Sequence, residues 1–184
     1  MTTTESKLTD AVKAMIGAEA ELVESSWWVV EKEGLRRFTQ ALMDPDPRFW
    51  DEEFAKSTRY GEIVTPGIYV SYLGKTPPWG EDPVARGFRE NPVSDGFALP
   101  RGRARGSLPS IPTDLVRILN AGNDIELFQY PSLGDRIYSQ GRIANIEERV
   151  GRDGSHMLIT TNETRIMNQR GDLLCITRGS IIRR

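Results

Sequence analysis

The chain is poor in the residues that do hard chemistry. Its 184 residues hold one cysteine, Cys175, and one histidine, His156. A single cysteine excludes an intramolecular disulfide and a thiolate zinc cluster. One histidine, opening a strand just after the Gly151–Gly154 turn, is expected to be a surface residue far from the other polar motifs. From it no Ser-His-Asp or Cys-His arrangement can be built. A net charge of −2 and a pI near 5.6 give no electrostatic case for nucleic acid or an anionic membrane surface. No apolar run approaches the ~20 residues of a membrane span. The opening Met1-Thr2-Thr3-Thr4-Glu5-Ser6 has neither a basic region nor an apolar run, so a cytoplasmic location is expected. The apolar neighbours of Cys175 predict a buried strand thiol.

What remains is an ordinary globular composition, 38% hydrophobic and 27% charged, enough to build one core without covalent staples. Leu8, Val12, Met15 and Ile16 recur at helical spacing, and Gly17 follows as a stop. Glu21–Glu31 reads as a strand. Leu35, Phe38 and Leu42 form one face of a helix that ends at Asp44-Pro45-Asp46-Pro47. Thr65-Pro66-Gly67 leads into the apolar run Ile68–Leu73, the pattern of a short buried helix. Residues 76–112 gather most of the eleven prolines and five arginines with little periodicity, and are expected to form a long, functional insertion. Alternating runs over Leu115–Pro131, Arg136–Val150, Met157–Asn168 and Leu173–Arg183, joined by Gly/Asp/Asn turns, predict a four-strand antiparallel meander. Helices placed before an antiparallel sheet give an α+β class, in one domain spanning 1–184.

Asp44-Pro45-Asp46-Pro47-Arg48-Phe49-Trp50-Asp51 resembles the Asp-x-Asn-Pro-x-His-x-Asp segment of MaoC-like (R)-specific enoyl-CoA hydratases. Tyr60-Gly61…Pro66-Gly67 resembles the lead-in to that family's central helix. Ala121–Phe128 with Leu133-Gly134-Asp135 is similar to its strand-turn-strand. The resemblance, closest to the FAS1-like dehydratase branch, covers about residues 17–184. It implies a hot-dog fold, an antiparallel sheet wrapped around one central helix. Asp44 then takes the place of the catalytic aspartate and Phe49 that of the catalytic histidine. A phenyl ring neither accepts nor delivers a proton, so no residue is assigned a catalytic role with assurance. The resemblance places the thioester carbonyl against the N–H at Gly67, with Pro66 and Ile68 beside it and Trp79 lining an acyl pocket or a partner interface. No metal and no cofactor are implied.

Each of these residues also has a plainer reading. Asp44 suits a solvated turn or cap, and Phe49 a core aromatic. Arg101, Arg103 and Arg105, a candidate match for coenzyme A phosphates, also suit a solvated loop balanced by Glu81, Asp82, Glu90 and Asp95. The leading expectation is a subunit that completes the fold and acyl pocket of a histidine-bearing MaoC-like partner, in a heterodimer or heterotetramer acting on acyl-CoA or acyl-carrier thioesters. The alternatives are a thioesterase using Asp44 or Glu53, and a non-catalytic acyl-thioester binding module. Which acyl group, which carrier and which direction of reaction are not written in the residues.

Overall fold

The structure is a computed structural model, described here over residues 5–24, 29–72, 83–93 and 106–184. Its frame is a five-stranded antiparallel sheet: β1 (Val23–Glu24), β2 (Ile118–Leu127), β3 (Ile137–Val150), β4 (His156–Asn168) and β5 (Leu173–Arg183). The helices are α1 (Asp10–Lys13), α2 (Lys32–Leu42), α3 (Glu52–Ser57), α4 (Tyr69–Tyr72) and α5 (Pro83–Glu90), with a 3-10 turn at Pro47–Phe49. The α+β antiparallel class follows the hydrophobic alternation, and β3, β4 and β5 begin and end within a residue or two of the runs that predicted them.

The expected four-strand meander is corrected. Strand order is β1-β3-β4-β5-β2, so β3, β4 and β5 form the meander while β2 crosses to the far side and pairs with β5. Pro131–Asp135 is therefore no hairpin turn. Its backbone groups are committed elsewhere: the Pro131 carbonyl accepts from Thr65 N–H, and the Asp135 carbonyl from Val30 N–H. The buried Asp135 carboxylate accepts from Ser132 N–H and from Arg170, tying this crossing to the β4–β5 turn. Buried polar backbone must find partners; Asp135 N–H bonds locally to the Ser132 carbonyl, while the Pro131 and Asp135 carbonyls find theirs on distant segments.

Three further expectations are adjusted. The N-terminal helix shortens to α1, capped by the Thr9 hydroxyl, and ends before Gly17 at φ +87°. The Glu21–Glu31 strand reduces to β1, with 25–28 outside the described residues. The 76–112 segment contains a regular helix, α5, and Leu108 and Ile111 from its end pack into a cluster with Ile143, Ile146 and Leu158.

A second cluster joins α2, α3 and α4 to the other end of the sheet, through Leu35, Ala55, Tyr69 and Val70 against Ile137 and Ile166. Tyr69 meets Phe38 edge-on at 5.1 Å. Gly34 is needed there, because a Cβ on it would come within 2.9 Å of the Tyr69 hydroxyl. Cys175 is fully buried on β5, and burial pushes its thiol up to about 11. The opposite sheet face carries a charged row running across β3, β4, β5 and β2: Arg142, Glu163, Arg178 and Asp124, paired in register. Glu163 is buried but lies 2.9 Å from Arg142 and 3.0 Å from Arg178. Burial raises its carboxyl pKa, and the two guanidiniums more than offset that to leave it lowered.

Candidate active site at the Phe49 turn

The segment that carries the hydratase-like pattern is a chain of local caps. Met43 at φ 53° closes α2 in the left-handed region. Asp44 is half-buried, and its Oδ1 accepts from the Asp46 N–H at 3.0 Å. Asp46 in turn accepts from the Arg48 backbone at 3.0 Å and from the Arg48 guanidinium, whose hydrogen bonds hold the Asp46 carboxyl below the usual range. Asp51 caps α3 through Phe54 N–H. Short polar side chains before prolines form such turns because they can bond backbone two residues on. Asp44 caps this turn through Oδ1.

Phe49 ends the 3-10 turn with its ring 6% exposed. It meets Tyr130 at 6.3 Å between ring centroids, and Tyr60 meets the other part of Tyr130 at 5.4 Å. The Arg48 guanidinium lies 5.6 Å from the Phe49 ring centre and 5.5 Å from that of Tyr130, a stacked cation already neutralised by Asp46. Position 49 is thus filled by a buried aromatic that belongs to a cluster with Tyr60 and Tyr130. Arg48 and Tyr60 fall inside motifs read from the sequence but were given no role there, and Tyr130 was not singled out. The only local signal was an arginine beside the phenylalanine in a Pro-rich turn.

The lead-in to α4 is anchored by Val64 N–H on the Arg48 carbonyl and Thr65 N–H on the Pro131 carbonyl. Thr65 and Pro66 are buried, Gly67 is half-buried and Ile68 is 43% exposed. Gly67 does permit a close approach, but the group that approaches is Leu127: a Cβ there would lie 3.0 Å from Leu127 Cδ1. Leu127, with Arg48, Arg59, Tyr60, Phe128 and Tyr130, lines a hollow of about 490 Å³ on the Phe49 side. Asp44 opens instead into a shallow hollow with Arg36, Thr39, Met43 and Trp50. Among the described hollows, none is lined by both Asp44 and Gly67. Trp79, Arg101, Arg103 and Arg105 lie outside the described residues.

The remaining candidates separate cleanly. Glu53 projects from α3 into solvent, its side chain 87% exposed, and pairs with Lys56 at 2.9 Å. His156 is corrected from a surface turn residue: its side chain is 13% exposed, and its Nδ1 lies 2.7 Å from Glu148 Oε1. Glu148 also accepts from the Ser6 hydroxyl and the Lys7 N–H, and these bonds lower its carboxyl to about 2. That set pins the N-terminal segment to the β3–β4 hairpin. Among the described residues no group of His, Cys, Asp and Glu could hold a metal ion, and no helix is long and apolar enough to cross a membrane.

Comparison with known proteins gives this geometry a family. The ChsH1–ChsH2 complex from Mycobacterium tuberculosis matches with a TM-score of 0.66 at 10% identity, over 95% of this chain and 89% of that one. The C-terminally truncated HadBC complex, a 3R-hydroxyacyl-ACP dehydratase from the same organism, matches at 0.55 and 18% identity over 91% and 96%. The (R)-hydratase of A. caviae involved in PHA biosynthesis matches at 0.53 and 15% identity over 90% and 94%. At these identities the likeness is one of fold, that of the MaoC-like hot-dog dehydratases. No curated protein sequence matches the chain. The description "FAS1-like, dehydratase domain region" matches residues 14–177, so the chain belongs to the FAS1-like dehydratase family.

Proposed function

We propose that this chain is a single-domain, non-catalytic subunit of an enoyl-thioester hydratase or 3-hydroxyacyl-thioester dehydratase, acting in the cytoplasm beside a histidine-bearing MaoC-like partner. The observation that carries the reading is Phe49: a buried phenyl packed on Tyr130 stands where the family's acid–base histidine is expected. Hydration of a 2-enoyl thioester needs a base for water, an acid for the α-carbon and donors for the carbonyl. Here Asp44, whose Oδ1 caps its own turn, has no histidine beside it, since the single histidine pairs with Glu148. The partner supplies that pair. This subunit supplies part of the wall of the acyl pocket for an acyl-CoA or acyl-carrier thioester; Pro66, Gly67, Ile68 and Trp79 are its candidate lining, once Leu127 moves from beside Gly67. That two of the matching structures are complexes of paired subunits supports the arrangement. The solvated, Lys56-paired Glu53 speaks against a thioesterase, because an activating carboxylate works best desolvated near its water.

Co-expression with a histidine-bearing MaoC-like subunit tests it. The isolated chain is expected to neither hydrate enoyl-CoA nor hydrolyse acyl-CoA, and the complex to hydrate. Asp44→Asn in this chain should cost much less than the ~10²–10⁴-fold typical of a general acid or base, while the same change in the partner should abolish turnover. Loss of turnover on Asp44→Asn would make this chain a catalytic contributor.

A further inference from the structure

Gly67 and Leu127 meet at the start of α4, and their contact fixes the room available there. Gly67 has no left-handed φ, so glycine serves this position through the space of a missing side chain and not through backbone freedom. Leu127 takes that space. A Cβ on Gly67 would lie 3.0 Å from Leu127 Cδ1, 3.2 Å from Cδ2 and 3.6 Å from Cγ. The isobutyl group therefore rests on the Gly67 backbone.

Both sides of the contact are held. Leu127 ends β2 opposite the fully buried Cys175, and the N–H groups of Phe128 and Gln129 just after it both donate to the Leu174 carbonyl. Across from it, Thr65 N–H is bonded to the Pro131 carbonyl and Tyr69 N–H to the Pro66 carbonyl. With both backbones anchored, an acyl group reaching Gly67 has the space that the Leu127 side chain gives up by changing rotamer. Leu127 is 38% exposed, which leaves it free to turn. Beyond it the surroundings change. The hollow that Leu127 also borders is lined by Arg48, Arg59, Tyr60, Gln129 and Tyr130, and Gly67 is not part of it. Walls with so many polar ends return little to a hydrocarbon tail, whose binding scales with apolar area.

We infer that Leu127 is the end wall of the acyl site at Gly67, and that it makes the complex selective for short acyl thioesters of the size of a crotonyl group. The inference rests on the proposed hydratase role and adds to it the residue that sets acyl length.

The test compares crotonyl-CoA with 2-hexenoyl-CoA in the complex with the histidine-bearing partner, reading kcat/KM for each. The wild-type complex is expected to favour crotonyl-CoA. Leu127→Ala should move the hexenoyl-to-crotonyl ratio about tenfold or more toward hexenoyl, the usual worth of a methylene's room in an apolar pocket. Leu127→Val should move it less, in the same direction. The contact itself is read in the chain alone, without activity: Gly67→Ala should lower Tm, and lower it much less in a Leu127→Ala background. A complex that hydrates both thioesters with a ratio unmoved by Leu127→Ala overturns the inference and leaves the hydratase role standing. So does a wild-type preference for hexenoyl-CoA. An equal loss of Tm for Gly67→Ala in both backgrounds overturns it too, because the wall would not be there. Should Leu127→Ala fail to fold, an unmoved ratio in Leu127→Val has the same force. A complex that hydrates neither thioester overturns the hydratase role, and the inference with it.

Discussion

On the proposed reading, putting a histidine at position 49 should fail to create activity, and the packing there says at what cost in stability. Phe49→His replaces a nearly buried phenyl packed on Tyr130. Burying a phenylalanine contributes about 1.5–3 kcal/mol, most of which a polar imidazole forfeits. A ring nitrogen buried without a partner adds about 1–3 kcal/mol of cost. The sum, on the order of 2–5 kcal/mol, is a large share of a typical domain's stability. Protonation is opposed too. The Arg48 guanidinium lies 5.6 Å from the ring centre, where a like charge costs about 3 kcal/mol at an effective dielectric near 20, before the opposing Asp46 is counted. The new imidazole would be neutral, and Asp44 Oδ1 is engaged by Asp46 N–H. Urea denaturation should show the lost stability, and the absorbance of crotonyl-CoA should show no hydration. A kcat of ~1 s⁻¹ or more, in the range of ordinary enzymes, would refute the reasoning. So would unchanged stability.

Other perturbations follow from the buried charges. Glu163→Gln leaves Arg142 and Arg178 without their shared carboxylate; because both arginines are about a third exposed, a loss of ~2 kcal/mol in urea is expected, below the ~3–5 of a fully buried pair. Glu148 titrates near 2 in the fold against an ordinary 4.5. A carboxyl with a lowered folded pKa lends stability above its unfolded value and loses it as pH falls toward the folded one. Protection of amides near Ser6 and Lys7 should therefore fade in hydrogen exchange between about pH 4.5 and 2, and Glu148→Gln should abolish that pH dependence. Cys175, its thiol pushed up to about 11 by burial, should stay inert to a thiol reagent at pH 8 until the protein is unfolded.

Much of this fold is written locally. Alternation of β-branched and polar residues specifies where β3, β4 and β5 run, because each strand's two faces differ in burial. Gly/Asp/Asn turns mark their ends for the same steric reasons in any context. The phenyl at position 49 is likewise legible, since it lacks the chemistry of an imidazole wherever it sits. Asp44 shows the limit of that reading: the same residue type at the same spacing serves a catalytic site or a turn, and the spacing alone does not reveal its bond to Asp46 N–H.

The rest depends on contacts between distant segments. Local pattern made β2 a strand but not the neighbour of β5, because pairing partners are chosen by how the crossing at Pro131–Asp135 is anchored to Thr65, Val30 and Arg170. His156 reads as a turn residue until the hairpin register brings Glu148 beside it and Ser6 arrives from the far end of the chain. The cluster of Arg48, Tyr60 and Tyr130 comes from three segments. Thr160 is an ordinary strand threonine in sequence; only the register that sets it between Ile146 and Ile181 decides that it is fully buried.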